Sequence, residues 1–232
     1  MVLTREDLEN DVLRLSYEDV RQHLPVVPPA EFDASLERML ESWRPADDVW
    51  VFGYGSLIWN PLFKFVDHRL ATIHGFHRSF CLRSSLGRGS VEKPGLMLGL
   101  DFGGCCNGMA FRIAARNVRH ELKLIWRREM VAGSYAPRWV TARGAKREVR
   151  VIAFVVNHAH VHYAGKLPRE TIVKTLATAH GRFGSGADYL YQTVDCLAKH
   201  GIRDNYLSHL RDQVMILTHG VHHPMECPEI GA

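Results

Sequence analysis

The chain has 232 residues, of which 46% are hydrophobic and 23% charged, and its formal net charge is +4 at pH 7. This length suits one domain of moderate size, or one domain with an extension, and the composition excludes a disordered or fibrous protein. The charge is too small and too evenly spread to predict binding to nucleic acid. No apolar run is long enough for a membrane span, and Glu6 and Asp7 stand where a signal peptide would be apolar.

The cysteines indicate a reducing compartment. Their number is odd, and no Cys-x-x-Cys pair occurs among Cys81, Cys105, Cys106, Cys196 and Cys227. This pattern favours reduced thiols over a disulfide framework or a zinc site. We therefore expect a cytoplasmic protein.

Residues 1–46 are predicted to form a helical N-terminal extension. Apolar residues lie at helical spacing within residues 7–20, and the proline-rich stretch 25–29 ends that helix. A second short helix is expected over residues 33–43. The extension is expected to pack on the outside of the main domain.

From residue 49 onward, stretches rich in β-branched and aromatic residues predict strands. The links between them are too short for parallel crossovers, so we expect an α+β fold, a small and mostly antiparallel β-barrel with flanking helices. This domain should span residues 47–217, followed by a loosely ordered tail over residues 218–232. The predicted strands cover residues 49–54, 69–83, 96–102, 107–113, 138–142 and 148–157, and the predicted helices cover residues 118–129, 168–180, 188–200 and 204–217.

The first predicted strand runs directly into a glycine loop, Gly53-Tyr54-Gly55-Ser56. Glycine lets a ligand approach the backbone, and a row of backbone N–H groups binds an anion such as a carboxylate or a phosphate. The loop does not fit a dinucleotide fingerprint, which needs a third glycine opening a helix, or a nucleophile elbow. An ordinary turn that closes a hairpin is an equal alternative.

The second feature is a carboxylate on the apolar face of the predicted helix 118–129. That face consists of Val118, Leu122, Ile125, Trp126 and Glu129. Arg127 and Arg128 are assigned to the solvent side. Burial raises the pKa of a carboxyl group, and the helix C-terminus acts in the same direction, which suits general acid–base catalysis. A structural ion pair with Arg128 or Arg143 is the more frequent alternative for such a residue.

Two histidine groups, within residues 158–162 and 219–223, resemble metal sites. Neither has a cysteine or carboxylate at a spacing that completes a tetrahedral ligand set. We therefore expect no metal.

Together these segments resemble the ChaC family of glutathione-specific γ-glutamylcyclotransferases, and its bacterial branch in particular. Four stretches carry the resemblance: residues 51–61 with the glycine loop, residues 80–95, residues 126–135 with Glu129, and residues 179–190 with a Gly-rich and Tyr-Leu motif. They follow one another with compatible spacing over residues 49–216 and leave the first 46 residues unexplained.

The chain departs from the family at two places. Many members have an asparagine-type residue where this chain has Ala187-Asp188, and eukaryotic members have Trp-Gln where it has Cys81-Leu82. These differences concern substrate selectivity more than the core chemistry.

The resemblance implies an enzyme with a γ-glutamylcyclotransferase-like barrel and neither a metal nor an organic cofactor. It would cleave glutathione into 5-oxoproline and cysteinylglycine, because the α-amine of the substrate attacks its own γ-carbonyl. Glu129 would be the general acid–base group, and the glycine loop would hold the α-carboxylate. The implied substrate-binding residues are Tyr54, Gly55, Ser56, Leu57, Tyr135 and Tyr189.

Glutathione is the partner expected, without nucleic acid or membrane, and the sequence does not set the oligomeric state. Three alternatives stay open. The chain could be a cyclotransferase for other γ-glutamyl amino acids or amines, a non-catalytic carboxylate-binding barrel, or a metal hydrolase that uses the histidines.

Overall fold

The structure, a computed structural model, describes residues 3–19, 22, 24–145 and 147–219. Five strands close into a barrel in the order β1-β3-β2-β4-β5, with antiparallel pairing between these neighbours. Short parallel pairings of β5 with β1 and β3 complete the closure. The strands are β1 (Val49–Gly53), β2 (Asp67–Ser84), β3 (Gly95–Ile113), β4 (Tyr135–Arg143) and β5 (Glu148–Val156). The predicted α+β barrel with flanking helices is confirmed.

Eight α-helices, one 3-10 helix (Ala115–Asn117) and one small hairpin accompany the barrel in the part of the chain that the structure describes. The helices are α1 (Arg5–Glu9), α2 (Val12–Glu18), α3 (Pro29–Leu40), α4 (Ser56–Trp59), α5 (Val118–Glu129), α6 (Arg169–Thr178), α7 (Gly186–Lys199) and α8 (Asn205–Leu217). The hairpin pairs β6 (His180–Gly181) with β7 (Gly184–Ser185). Side-chain caps explain two of the helix starts, since Ser185 and Asp204 accept hydrogen bonds from backbone N–H groups in the first turns of α7 and α8.

Several boundaries differ from the prediction. The two strands expected over residues 96–102 and 107–113 are one strand, β3, which bends at Gly103 and Gly104. Both glycines have positive φ, so the chain changes direction there without ending the strand. The first predicted helix is divided between α1 and α2 because Asp11 is left-handed, with φ 54°. The next helix begins at Pro29, since proline suits the first helical position.

Helix α5 has the bounds predicted for it, and its apolar face packs on the barrel. Val118, Leu122 and Trp126 are completely buried there. The Trp126 ring meets Phe154 of β5 edge-on with centroids 5.3 Å apart, and its indole N–H donates to Ser35 of α3. This packing fixes the C-terminal end of α5, where Glu129 lies.

The N-terminal segment is tied to the same helix by a buried ion pair. Both Arg5 terminal nitrogens donate to the Glu121 carboxylate, at 2.7 and 3.0 Å. Only 2% of the Glu121 side chain is exposed, and its remaining partner is the Lys64 backbone N–H at 2.8 Å. Arg127 adds hydrogen bonds to the carbonyl oxygens of Leu8 and Glu9. The segment is therefore attached along the length of α5.

Replacing Arg5 with alanine is expected to destabilise the protein, because it leaves the Glu121 carboxylate buried with one partner. We expect a loss of about 2–3 kcal/mol in the free energy of unfolding, or roughly 4–12 °C in Tm. Arg44→Ala is the control, since that arginine forms an exposed ion pair with Asp47 and should leave Tm unchanged. Equal Tm values for the two variants would contradict the prediction.

The cysteines follow the prediction only in part. Cys81, Cys105 and Cys106 are free thiols. Cys196 is disulfide-bonded, so the prediction of reduced thiols is wrong there. Cys227 and most of the predicted tail 218–232 lie outside the described residues. No helix among the described residues is both long and apolar enough to cross a membrane.

Candidate active site

The glycine loop leads from a buried strand into the short helix α4 and does not close a hairpin, so the hairpin alternative is wrong. Strand β1 is buried throughout, and Gly55 is the residue that precedes α4. The N–H groups of Ser56 and Leu57 lie in the first helical turn, where no carbonyl within the helix precedes them to accept a hydrogen bond. These two N–H groups are the donors that the hypothesis of an anion-binding loop requires.

Glu129 is the last residue of α5, and 12% of its side chain is exposed. Burial raises the pKa of Glu129, and the positive charge of Arg128 partly opposes that increase. The two side chains form an ion pair, with Nε of Arg128 3.1 Å from Oε1 of Glu129. Arg143 pairs with Glu148 and takes no part. Glu129 therefore has the raised pKa that acid–base catalysis requires. It also has Arg128 as a partner, which is what a purely structural ion pair would require.

The assignment of Arg127 and Arg128 to the solvent side is wrong. Only 9% of the Arg128 side chain is exposed, and its guanidinium donates to the Asn60 carbonyl beside α4. Arg127 lies against the N-terminal segment. Other elements cover this end of α5, so the helix periodicity alone does not determine which residues reach water.

Three buried tyrosines surround Glu129. The Tyr54 hydroxyl donates to the Phe154 carbonyl at 3.1 Å, and the Tyr135 hydroxyl donates to the Leu98 carbonyl at 3.0 Å. Burial raises the pKa of Tyr54 and Tyr135 well above the usual value and that of Tyr189 to about 12, and the Glu129 charge adds to each increase. All three are neutral phenols at neutral pH, so they act as hydrogen-bonding groups.

The predicted site residues lie around two adjoining spaces. A cavity of about 310 Å³ is open to solvent on one side, and a small inner compartment of about 10 Å³ lies at the glycine loop. Glu129 borders both spaces, together with Ser56, Tyr135 and Tyr189. Tyr54, Gly55 and Leu57 border the inner compartment alone. The structure therefore brings all seven predicted residues together, with the carboxyl group where the spaces meet.

Sequence reasoning missed two arginines that line the cavity, Arg88 and Arg128. Arg88 is 8% exposed, and its guanidinium lies 5.3 Å from the ring centroid of Tyr189 and 5.9 Å from that of Trp59. Burial lowers the pKa of Arg88, and the nearby charge of Arg128 acts in the same direction. Arg88 lies within the segment 80–95 that carried the resemblance, but it is in a loop, where no periodicity indicates the direction of a side chain.

None of the predicted histidines within the described residues lines this cavity. His158 lies 2.6 Å from an Asp101 oxygen and stacks on Tyr163. Among the described residues, no group of three or more His, Cys, Asp or Glu side chains is placed to hold a metal ion. His222 and His223 lie outside those residues.

Comparisons with known proteins identify the family. The family model for ChaC-like proteins matches residues 49–217. The glutathione-specific γ-glutamylcyclotransferase of Escherichia coli (strain K12) is 35% identical over 210 residues, which are 90% of each chain. The glutathione-specific γ-glutamylcyclotransferase 1 of Homo sapiens is 30% identical over 187 residues, 78% of this chain and 82% of the human one.

The fold also has a counterpart among solved structures. A γ-glutamyl cyclotransferase specific to glutathione from yeast superposes with a TM-score of 0.68 at 22% identity, and the match covers 76% of this chain and 99% of the yeast chain. About a quarter of the present chain therefore has no counterpart in that structure. The family model covers more than half of the chain, including the glycine loop, Arg88 and Glu129. The chain belongs to the ChaC family.

Proposed function

We propose that this protein degrades glutathione by intramolecular cyclisation of its γ-glutamyl group, which gives 5-oxoproline and cysteinylglycine. The observation that carries the proposal is the position of Glu129, a buried carboxyl with a raised pKa between an anion-binding loop and an open cavity. The names of the E. coli and human relatives support the same activity.

The α-carboxylate of the substrate binds at the N–H groups of Ser56 and Leu57. This places the γ-glutamyl group toward the inner compartment and the scissile amide beside Glu129. The inner compartment, of about 10 Å³, has room for little more than one water-sized group, so the glutamyl chain lies outside it beside Glu129. There the chain folds back on itself, and its amine approaches its γ-carbonyl carbon. The amine is already tethered to the carbonyl, so fixing the folded conformation of the substrate supplies a large share of the rate enhancement.

Glu129 then moves the proton. The ionised carboxylate accepts a proton from the α-ammonium, and the free amine attacks the γ-carbonyl carbon. The attacking nitrogen gives up its second proton as the ring closes, and the C–N bond to cysteine breaks. The departing nitrogen receives both protons through the Glu129 carboxyl and leaves as an ammonium group. One C–N bond forms and one breaks, so the reaction consumes no water and no cofactor. The oxygen that becomes negative during the attack is stabilised by the Tyr189 hydroxyl, since the Tyr54 and Tyr135 hydroxyls already donate to the Phe154 and Leu98 carbonyls.

The two buried guanidiniums favour glutathione over smaller γ-glutamyl compounds. Glutathione has a second carboxylate, on glycine, at the far end of the half that leaves. Arg88 and Arg128 line the larger cavity on the side where that half would lie. A γ-glutamyl amine lacks this carboxylate, so the buried Arg88 guanidinium gains no ion pair from it, whereas Arg128 already pairs with Glu129.

A non-catalytic carboxylate binder is less consistent with the site, because such a protein has no use for a buried carboxyl beside the loop. The test is to incubate the purified protein with reduced glutathione, without ATP, and to identify the products. We expect equal amounts of 5-oxoproline and cysteinylglycine. Free glutamate would indicate hydrolysis, and unchanged glutathione would indicate a binding protein.

A cytoplasmic location stays a prediction.

Gly55→Val is expected to reduce kcat/KM at least about tenfold by filling the inner compartment. A Cβ added at Gly55 would lie 3.1 Å from the Tyr189 hydroxyl, and the methyl groups of valine would reach further. Ser56→Ala is the matched control, since it keeps the backbone N–H and should have a smaller effect. A larger loss for Ser56→Ala would assign the contact to the serine hydroxyl.

Exhaustive treatment with a chelator is expected to leave the activity unchanged, because no step above needs a Lewis acid. The double variant His158→Ala/His160→Ala should likewise retain activity, apart from any loss of folded protein, which its Tm would report. Activity that is abolished by chelation and restored by zinc would favour the metal-hydrolase alternative.

A further inference from the structure

The N-terminal segment, residues 3–19, forms one wall of the cavity that contains Glu129. Leu3, Leu13 and Tyr17 all line that cavity. The matched family model begins at residue 49, so nothing in it accounts for this wall. The segment that the sequence placed on the outside of the domain therefore contributes side chains to the site.

The segment is held in place on three sides. The Arg5–Glu121 pair and the bonds from Arg127 fix α1 to α5. The Asn60 amide after α4 donates to the Leu3 carbonyl at 3.1 Å. The Ser16 hydroxyl of α2 accepts a hydrogen bond of 2.6 Å from Arg182 in the β6–β7 hairpin. The elements that carry the predicted catalytic and loop residues thus fix the segment in place.

The position of Leu13 and Tyr17 identifies the part of a substrate that they would meet. Both line the larger cavity, and neither borders the inner compartment at the glycine loop. Glu129 lies where the two spaces join. A substrate with its α-carboxylate at the loop and its scissile amide at Glu129 therefore extends its leaving half toward Leu13 and Tyr17.

Tyr17 has the chemistry to contact a peptide. Burial raises its pKa to about 12, and the Glu129 charge adds to the increase, as it does for the three inner tyrosines. Tyr17 is thus a neutral phenol that can donate a hydrogen bond to an amide oxygen. Leu13 is buried and offers an apolar surface beside it.

We propose that Tyr17 and Leu13 bind the cysteinylglycine half of the substrate and thereby select a tripeptide over shorter γ-glutamyl compounds. This inference rests on the proposed function. It makes the N-terminal segment part of the substrate-binding site, beyond the barrel residues that the family model covers.

The test compares Tyr17→Phe, Tyr17→Ala and Leu13→Ala with Leu15→Ala, a control on the same helix whose side chain is 56% exposed. For glutathione, Tyr17→Ala and Leu13→Ala should raise KM about tenfold and leave kcat within threefold of the wild-type value. The KM of Tyr17→Phe should lie between the wild-type value and the values of these two variants. For γ-glutamylcysteine, which lacks the glycine, KM should change less than threefold. Leu15→Ala should match the wild type on both substrates, and Tm values identify any variant that is poorly folded.

Equal changes for the two substrates, or values for Tyr17→Ala that match Leu15→Ala, would overturn the inference. Measuring the Kd for glutathione by calorimetry in the Glu129→Gln background tests the inference separately from the proposed function. Tight binding that Tyr17→Ala weakens about tenfold supports the inference even if the wild type forms no 5-oxoproline. Binding that Tyr17→Ala leaves unchanged overturns the inference even if the wild type is active.

Discussion

Replacing Glu129 with glutamine is expected to lower kcat for glutathione by at least about a hundredfold, the usual scale for loss of a general base. The amide keeps the shape of the side chain but cannot accept the proton of the α-ammonium. KM should change little, because the glycine loop and the arginines remain. Product formation is measured as 5-oxoproline, so that residual turnover can be distinguished from slow hydrolysis.

Stability measurements separate this effect from a structural one. The folded pKa of Glu129 is raised above its ordinary value, so folding favours the protonated form and stability falls as pH rises through the folded pKa. Glutamine removes the free-energy cost of ionising this buried carboxyl at neutral pH, although it also removes the ion pair with Arg128. We therefore expect the Tm of Glu129→Gln at neutral pH to equal or exceed that of the wild type. A much lower Tm with kcat retained would make Glu129 a structural residue.

The pH dependence provides a second check on the same group. The base form of Glu129 is the carboxylate, and burial raises its pKa. The rate should therefore fall as pH decreases through a value above the ordinary glutamate pKa. Arg128→Gln removes the positive charge that opposes the increase, and the acid limb should then move to higher pH. An acid limb that does not move would mean that another group titrates.

Glu129 and the glycine loop could be predicted from the sequence because both depend on local pattern. The helical period places Glu129 on the same face as Val118 and Trp126, and α5 has the predicted bounds. The loop follows a run of apolar residues that can only be a buried strand at this length. In each case neighbouring residues along the chain are sufficient to determine the structure.

The arginines and the N-terminal wall could not be predicted, because their positions depend on elements distant in sequence. Arg128 lies on the polar side of α5 by periodicity, but Asn60 after α4 covers that side. Tyr17 reaches the cavity only because Arg5, Arg127 and Arg182 hold its segment against the site. No periodic pattern within residues 1–46 contains this information.

Replacing Arg88 with methionine is expected to reduce kcat/KM for glutathione by about 10–100-fold, the range for one buried hydrogen-bonded charge contact. The guanidinium lies beside Trp59 and Tyr189 in the cavity. Its hydrogen bond to the Ser185 carbonyl is long at 3.5 Å, and among the described residues Asp188 acts on it as a nearby charge without forming an ion pair. Its charge is therefore available to the glycyl carboxylate of the substrate.

The same arginine packs against two aromatic rings, so a loss of activity alone does not show that it binds substrate. A cycle analogous to a double-mutant cycle separates substrate binding from packing. It changes the substrate, from glutathione to its C-terminal glycine amide, and the protein, from wild type to Arg88→Met. If Arg88 binds the glycyl carboxylate, the wild type should prefer the acid over the amide by about 10–100-fold, and Arg88→Met should lose most of that preference. Arg88→Lys should recover part of it, since lysine restores the charge without the planar fork. An equal loss on the acid and the amide would mean that Arg88 only supports the aromatic packing, and the second carboxylate would then have to be bound by Arg128.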